Sequence, residues 1–115
     1  LDIYGDGQLE REFIIKRLQL FNALKGEELT FFPRDFFLNT DYSEEFDEFL
    51  YKTVGYPLLA SLGSNIFVSP YGATSLREYF ASGFENFYTQ SPEAVRSLSP
   101  TIYKKILDLI NISKE

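Results

Sequence analysis

The sequence predicts a mainly helical protein, a small segment of four to five helices. Three observations carry that reading. Leu9, Phe13, Leu20, Phe21 and Leu24 recur on one side at a 3.6-residue period. Ser75 and Glu78 form an S-x-x-E capping box ahead of a second apolar stripe. Ser91-Pro92 and Ser99-Pro100 each pair an N-cap residue with Pro at the first helical position. At 115 residues the chain is one domain or part of one. No internal repeat, low-complexity linker or domain boundary divides residues 1–115.

Taken in order, Tyr4-Gly5-Asp6-Gly7 is a turn rich in breakers. A helix starts at Leu9, and Gly26 suits the C′ position that would end it. Residues 27–42 are mixed, because Pro33 opposes one continuous helix. Ser43 to Val54 fits a second helix. Asp41 or Ser43 can cap it, Glu44 and Glu45 favour its positive end, and Phe46, Phe49, Leu50 and Val54 line one face. Tyr56-Pro57 starts a short turn ending near Gly63, and Ile66 to Val68 is extended or irregular. The third helix follows Ser75, with Leu76, Phe80, Phe84 and Phe87 as its stripe. A short helix runs from Ser91 to about Ser97. A last one runs from Ser99 to about Asn111, with Ile102, Ile106, Leu107 and Ile110 on one face and a frayed tail.

Composition excludes several function classes. The formal charge is −6, against a general nucleic-acid binder, which needs a basic face. No run of about 18 apolar residues occurs, so no segment is expected to span a bilayer. Cys is absent, which removes disulfides and thiolate chemistry. His is absent too, which removes the commonest general base and zinc ligand and every Ser-His-Asp or Cys-His site within this chain. Met is also absent, so the expectation is a processed product, a domain or a fragment whose chemistry is incomplete. The 12 Phe and 8 Tyr are mostly core material.

Four places are candidates for more than structure. Asp2 to Phe13 has Asp, Asp and Gly at EF-hand positions one, five and six. It carries Tyr4 and Phe13 at positions three and twelve, where oxygen ligands are required, so an Asp/Gly turn leading into a helix is the competing reading. The Phe31–Phe37 cluster is either a partner groove or a loop pinned to the core. Glu27-Glu28 and Glu44-Glu45 read as solvated charges. The fourth place is Ser69 to Phe84. Glu78 caps its helix by pattern, yet it lies about 200° around from Phe80 and points away from the stripe. Its side carries Ala81, Ser82 and Glu85, and small residues at 81–83 would let another helix approach closely. Tyr71 stands just upstream, so a phenol and a carboxylate could converge on one cleft.

Here the chain resembles the catalytic domain of anthrax toxin lethal factor and related zinc metallopeptidases. The residues that carry the likeness are Tyr71-Gly72-x-Thr74, then Glu78-Tyr79-Phe80-Ala81-x-x-Phe84, then Ser99-Pro100-x-x-Tyr103 at the start of the last helix. The detailed match covers roughly residues 66–110, with a looser one back to about Ser43. The resemblance implies the C-terminal subdomain of a zincin-like fold. It implies that Glu78 is the third zinc ligand, downstream of an H-E-x-x-H helix, and that Tyr71 hydrogen-bonds the developing oxyanion or the leaving amine. In such a centre two imidazoles and a carboxylate leave one position for water, whose pKa zinc lowers.

The chain departs from that pattern because it has no H-E-x-x-H. One explanation puts that helix upstream, making residues 1–115 the C-terminal part of a zinc peptidase that is inactive alone. Zinc is then the cofactor only together with the upstream ligands, and the partners are a protein or peptide substrate and the upstream part of the same protein. In the second explanation the helix has degenerated to Arg11-Glu12-Phe13-Ile14-Ile15, leaving a catalytically dead binding module. A third reading is an unrelated helical structural or interaction domain in which Glu78 only caps. Members of the resembled family are mainly secreted toxins, and the resemblance also allows a phage or bacterial surface setting, so it implies neither one compartment nor a substrate.

Overall fold

The computed structural model describes residues 4–28 and 33–114. They form seven α-helices: α1 (Gln8–Gly26), α2 (Arg34–Leu38), α3 (Glu44–Glu48), α4 (Tyr56–Gly63), α5 (Leu76–Thr89), α6 (Pro92–Leu98) and α7 (Pro100–Lys114). A π-helical turn (Phe49–Val54) continues α3, and a 3₁₀ turn (Pro70–Ala73) precedes α5. No strand occurs among the described residues. The mainly helical class holds, and the helices beyond those expected are the short α2 and α4.

Gly7 caps α1 with φ 74°, a left-handed value that glycine adopts without a side-chain clash. Asp6 accepts the Gln8 N–H at 3.0 Å and pairs with Lys105 of α7, also at 3.0 Å. These two contacts, the backbone one first, hold the Asp6 carboxyl below its usual pKa. The other end of α1 differs from expectation. Gly26 is the last helical residue, and Glu28 takes the left-handed conformation with φ 60°. The N–H groups of Glu27 and Glu28 close on the Leu24 and Lys25 carbonyls, so the cap forms two residues later than the glycine suggested.

The helix expected over Ser43–Val54 changes character midway. Ser43 does cap it, its hydroxyl accepting the Phe46 N–H. After Glu48 the turns widen, and the Gly55 N–H reaches the Leu50 carbonyl five residues back at 2.9 Å. Phe49, Leu50 and Val54 are all buried with Phe46, so the expected apolar face is kept through the wider turn. Phe37 is buried edge-on to Phe21 and Phe46, with ring centroids 5.0 Å apart in both pairs. The core reading of that aromatic cluster therefore holds at Phe37, with Phe36 packed beside it. Phe31 and Phe32 lie outside the described residues.

Helix α5 is rotated from its apparent stripe. Its buried residues are Tyr79 and Gly83, while Leu76, Phe80 and Phe87 are half-buried and Phe84 is 39% exposed. The cause is α7, which crosses α5 at Gly83. A Cβ there would stand 2.8 Å from two carbons of Ile102. The close approach expected at residues 81–83 is thus realised at Gly83. Gly83→Ala should cost about 1–3 kcal/mol through this overlap, despite alanine's better helix propensity. Chemical denaturation would measure it, and an unchanged or raised midpoint would mean that α7 yields without cost.

Candidate functional site

The segment that carries Tyr71 is pinned at both ends. The Ser69 hydroxyl accepts the Tyr71 N–H, Pro70 starts the 3₁₀ turn, and the Thr74 hydroxyl donates to the Tyr71 carbonyl at 2.8 Å. Behind the turn lies Arg17, 1% exposed. Its Nε and Nη2 donate to the Ala73 and Thr74 carbonyls, and its Nη1 reaches the Phe36, Phe37 and Asn39 carbonyls at 3.2–3.4 Å. Its guanidinium is sandwiched between the Phe13 and Phe46 rings, 4.7 and 4.3 Å from their centroids. One side chain of α1 therefore sets the position of α2 and of the turn that presents Tyr71.

The direction of Glu78 is set by its neighbour Tyr79. That ring packs against Phe13 and Phe67. Its hydroxyl donates to Glu12 at 2.6 Å and shares a 2.9 Å hydrogen bond with the Ser99 hydroxyl. Burial, followed by the Glu12 charge, raises the phenol's pKa strongly. The other Glu12 oxygen accepts the Thr101 N–H at the start of α7. With Tyr79 locked inward, Glu78 projects about 100° away and is exposed.

The capping box is only half made. The Ser75 hydroxyl accepts the Glu78 N–H at 3.1 Å. Among the described residues, the Glu78 carboxylate makes no return bond to Ser75 and no ion pair. It lines a cavity of about 280 Å³ together with Tyr71, Ser82, Glu85 and Asn86. The Tyr71 ring is 56% exposed and packs on Tyr56, which packs on Tyr51, with centroids 5.0 and 5.4 Å apart. The phenol and carboxylate singled out in the sequence thus share one cleft.

The donor set decides what that cleft can hold. Its acidic residues are Glu78 and Glu85, and no group of three His, Cys, Asp or Glu converges among the described residues. These residues do not by themselves fit a tetrahedral zinc ion, which takes three protein ligands even in an open site. They fit one carboxylate arm of such a site. No residue of α1 lines the cleft. Arg11 and Ile15 are exposed, and Glu12 is committed to Tyr79 and Thr101.

Of the remaining candidates, Asp6 and Phe13 have structural employment. Asp6 serves Gln8 and Lys105, Phe13 is fully buried, and Asp2 lies outside the described residues. Glu27, Glu28, Glu44 and Glu45 are exposed. Sequence reasoning missed Arg17, although the signal was present. The α1 stripe steps from Phe13 to Leu20, and the position between them on the same face is an arginine. It also missed Asn86, whose Oδ1 is buried without a hydrogen-bond partner among the described residues. Comparison of the chain with protein-family models, with curated proteins and with solved structures finds no match.

Proposed function

We propose that this chain is the C-terminal portion of a zinc metallopeptidase, contributing Glu78 as the third metal ligand and Tyr71 as the hydrogen-bond donor to the developing oxyanion. The two imidazoles come from an H-E-x-x-H segment outside these residues. The observation that carries the reading is the Glu78 carboxylate, exposed on the cleft it shares with Tyr71 and not folded back onto the helix end. A glutamate kept only for capping would spend its carboxylate on the Ser75 N–H. The reading also rests on the resemblance of the Tyr71 and Glu78 segments to lethal factor-like peptidases. The degenerate-helix alternative is less favoured, because α1 turns Glu12 to Tyr79 and the start of α7 and contributes nothing to the cleft.

Each residue then has a stated task. Glu78 would hold the ion together with the two imidazoles. Tyr71 lines the same cleft while its ring packs on Tyr56. Zinc, when bound, supplies an activated water. In the complete protein Glu78→Ala should lower zinc affinity by more than the roughly 10–100-fold typical of an outer-shell partner. Equilibrium dialysis against a zinc buffer measures this, and equal zinc content in the variant would remove Glu78 from the centre. The 115-residue chain alone should bind zinc no tighter than a lone surface carboxylate. A submicromolar site in it would contradict the ligand assignment.

A further inference from the structure

Three tyrosines from separate elements form one row on the surface. Tyr51 of the π-helical turn packs on Tyr56 at the start of α4, and Tyr56 packs on Tyr71 of the 3₁₀ turn, with ring centroids 5.4 and 5.0 Å apart. Tyr51 and Tyr71 stay more than half exposed, as does Tyr42, whose hydroxyl donates to Asp47 at 3.2 Å. Burial, then the Asp47 charge, raises the Tyr56 pKa, and Tyr71, Tyr51 and Tyr42 add to the rise, so all four groups stand within electrostatic reach of its hydroxyl. Tyr56 packs against the core, whereas Tyr42, Tyr51 and Tyr71 take no part in it. Exposed rings that the core does not use are characteristic of interfaces, where tyrosine is enriched.

The surrounding charge selects the partner. Residues 42–56 carry Glu44, Glu45, Asp47 and Glu48 against one cation, Lys52, which Glu48 already engages at 3.6 Å. The faces of aromatic rings are electron-rich as well. Both features favour a cation and oppose an anionic partner. Arginine is the cationic side chain that is planar and weakly hydrated, so it can stack on a ring and still donate to a carboxylate. Arg17 already stacks in this way inside the same molecule, between Phe13 and Phe46. We propose that the tyrosine row and Asp47 form a docking surface for an arginine-bearing segment of a partner protein, the guanidinium stacking on the row and donating to Asp47. The inference does not rest on the peptidase reading. Tyr71 belongs to both the row and the cleft, so the test variants stand at Tyr51 and Asp47.

The test needs no metal and no turnover. Isotope-labelled protein is titrated with the end-capped peptide Gly-Ser-Arg-Gly-Arg-Ser-Gly and with two counterparts, one carrying lysine and one carrying uncharged citrulline at both arginines. The arginine peptide should shift the ring signals of Tyr51 and Tyr56. It should bind about tenfold or more tighter than the citrulline peptide and about threefold or more tighter than the lysine peptide. Tyr51→Ser removes an exposed ring, and Asp47→Asn removes the charge but keeps an acceptor for the Tyr42 hydroxyl. Each should weaken the arginine peptide by about threefold or more. Tyr88→Ser, at an exposed ring that packs on Phe84 and Phe87 instead, should leave binding unchanged. Equal affinity for the arginine and citrulline peptides, or shifts confined to other tyrosines, would overturn the inference. So would undiminished binding in a folded Tyr51→Ser protein or, should that variant not fold, in Asp47→Asn. A lysine peptide bound as tightly as the arginine peptide would show charge acting without stacking and would overturn the arginine assignment.

Discussion

Arg17→Leu should abolish cooperative folding, or cost at least about 3 kcal/mol, seen as a Tm lowered by roughly 10–20 °C. The arginine has no carboxylate partner in the described structure and spends its donors on five backbone carbonyls from two segments. Burial lowers the guanidinium pKa from its ordinary 12.5 to about 9, so the side chain is still charged at neutral pH. Leucine would fill much of the volume between Phe13 and Phe46. It would leave buried carbonyls of Ala73 and Thr74 facing hydrocarbon, each at a cost of about 1–3 kcal/mol. Arg17→Lys should fall between leucine and wild type. An ammonium keeps the charge between the rings but lacks the planar fork that reaches both segments at once. Thermal or urea unfolding of the three proteins gives the order directly. A loss below about 1 kcal/mol for leucine would mean that water or backbone movement satisfies those carbonyls.

If the chain belongs to a zinc peptidase as proposed, Tyr71→Phe should lower kcat of the complete protein by about 10²–10³-fold while leaving zinc content and KM nearly unchanged. The substitution removes one hydroxyl and keeps the ring that packs on Tyr56. The backbone of residue 71 is held by Ser69 and Thr74, not by its own hydroxyl, so stability should change by less than about 0.5 kcal/mol. A selective loss of turnover is therefore the signature of a donor needed in the transition state. Turnover within about twofold of wild type would show that the phenol has no part in the reaction. A parallel loss of zinc would show that it acts on the metal site instead.

How far the site was legible follows from these residues. The Tyr71-Gly72-x-Thr74 and Glu78-Tyr79-Phe80-Ala81 patterns are local, and the cleft they form lies within one turn-and-helix unit. Short-range geometry was enough to bring them together. The row of Tyr51, Tyr56 and Tyr71 was not legible, because it joins the π-helical turn, α4 and the 3₁₀ turn. No spacing along the chain encodes that convergence.

Local chemistry in the sequence determined the helical class and most helix starts. Ser43, Ser75 and Ser91 each cap through their own hydroxyls, and proline opens α6 and α7. Tertiary structure alone decided which faces are buried and where the regular turns give way. On α5 the apparent stripe of Leu76, Phe80 and Phe84 gave ground to Tyr79 and Gly83, since only a glycine admits Ile102 at that distance. After Glu48 the turns widen, a change that the spacing of the buried Phe49, Leu50 and Val54 does not announce. Capping is settled by atoms three residues apart, whereas burial depends on partners that only the folded chain brings into reach.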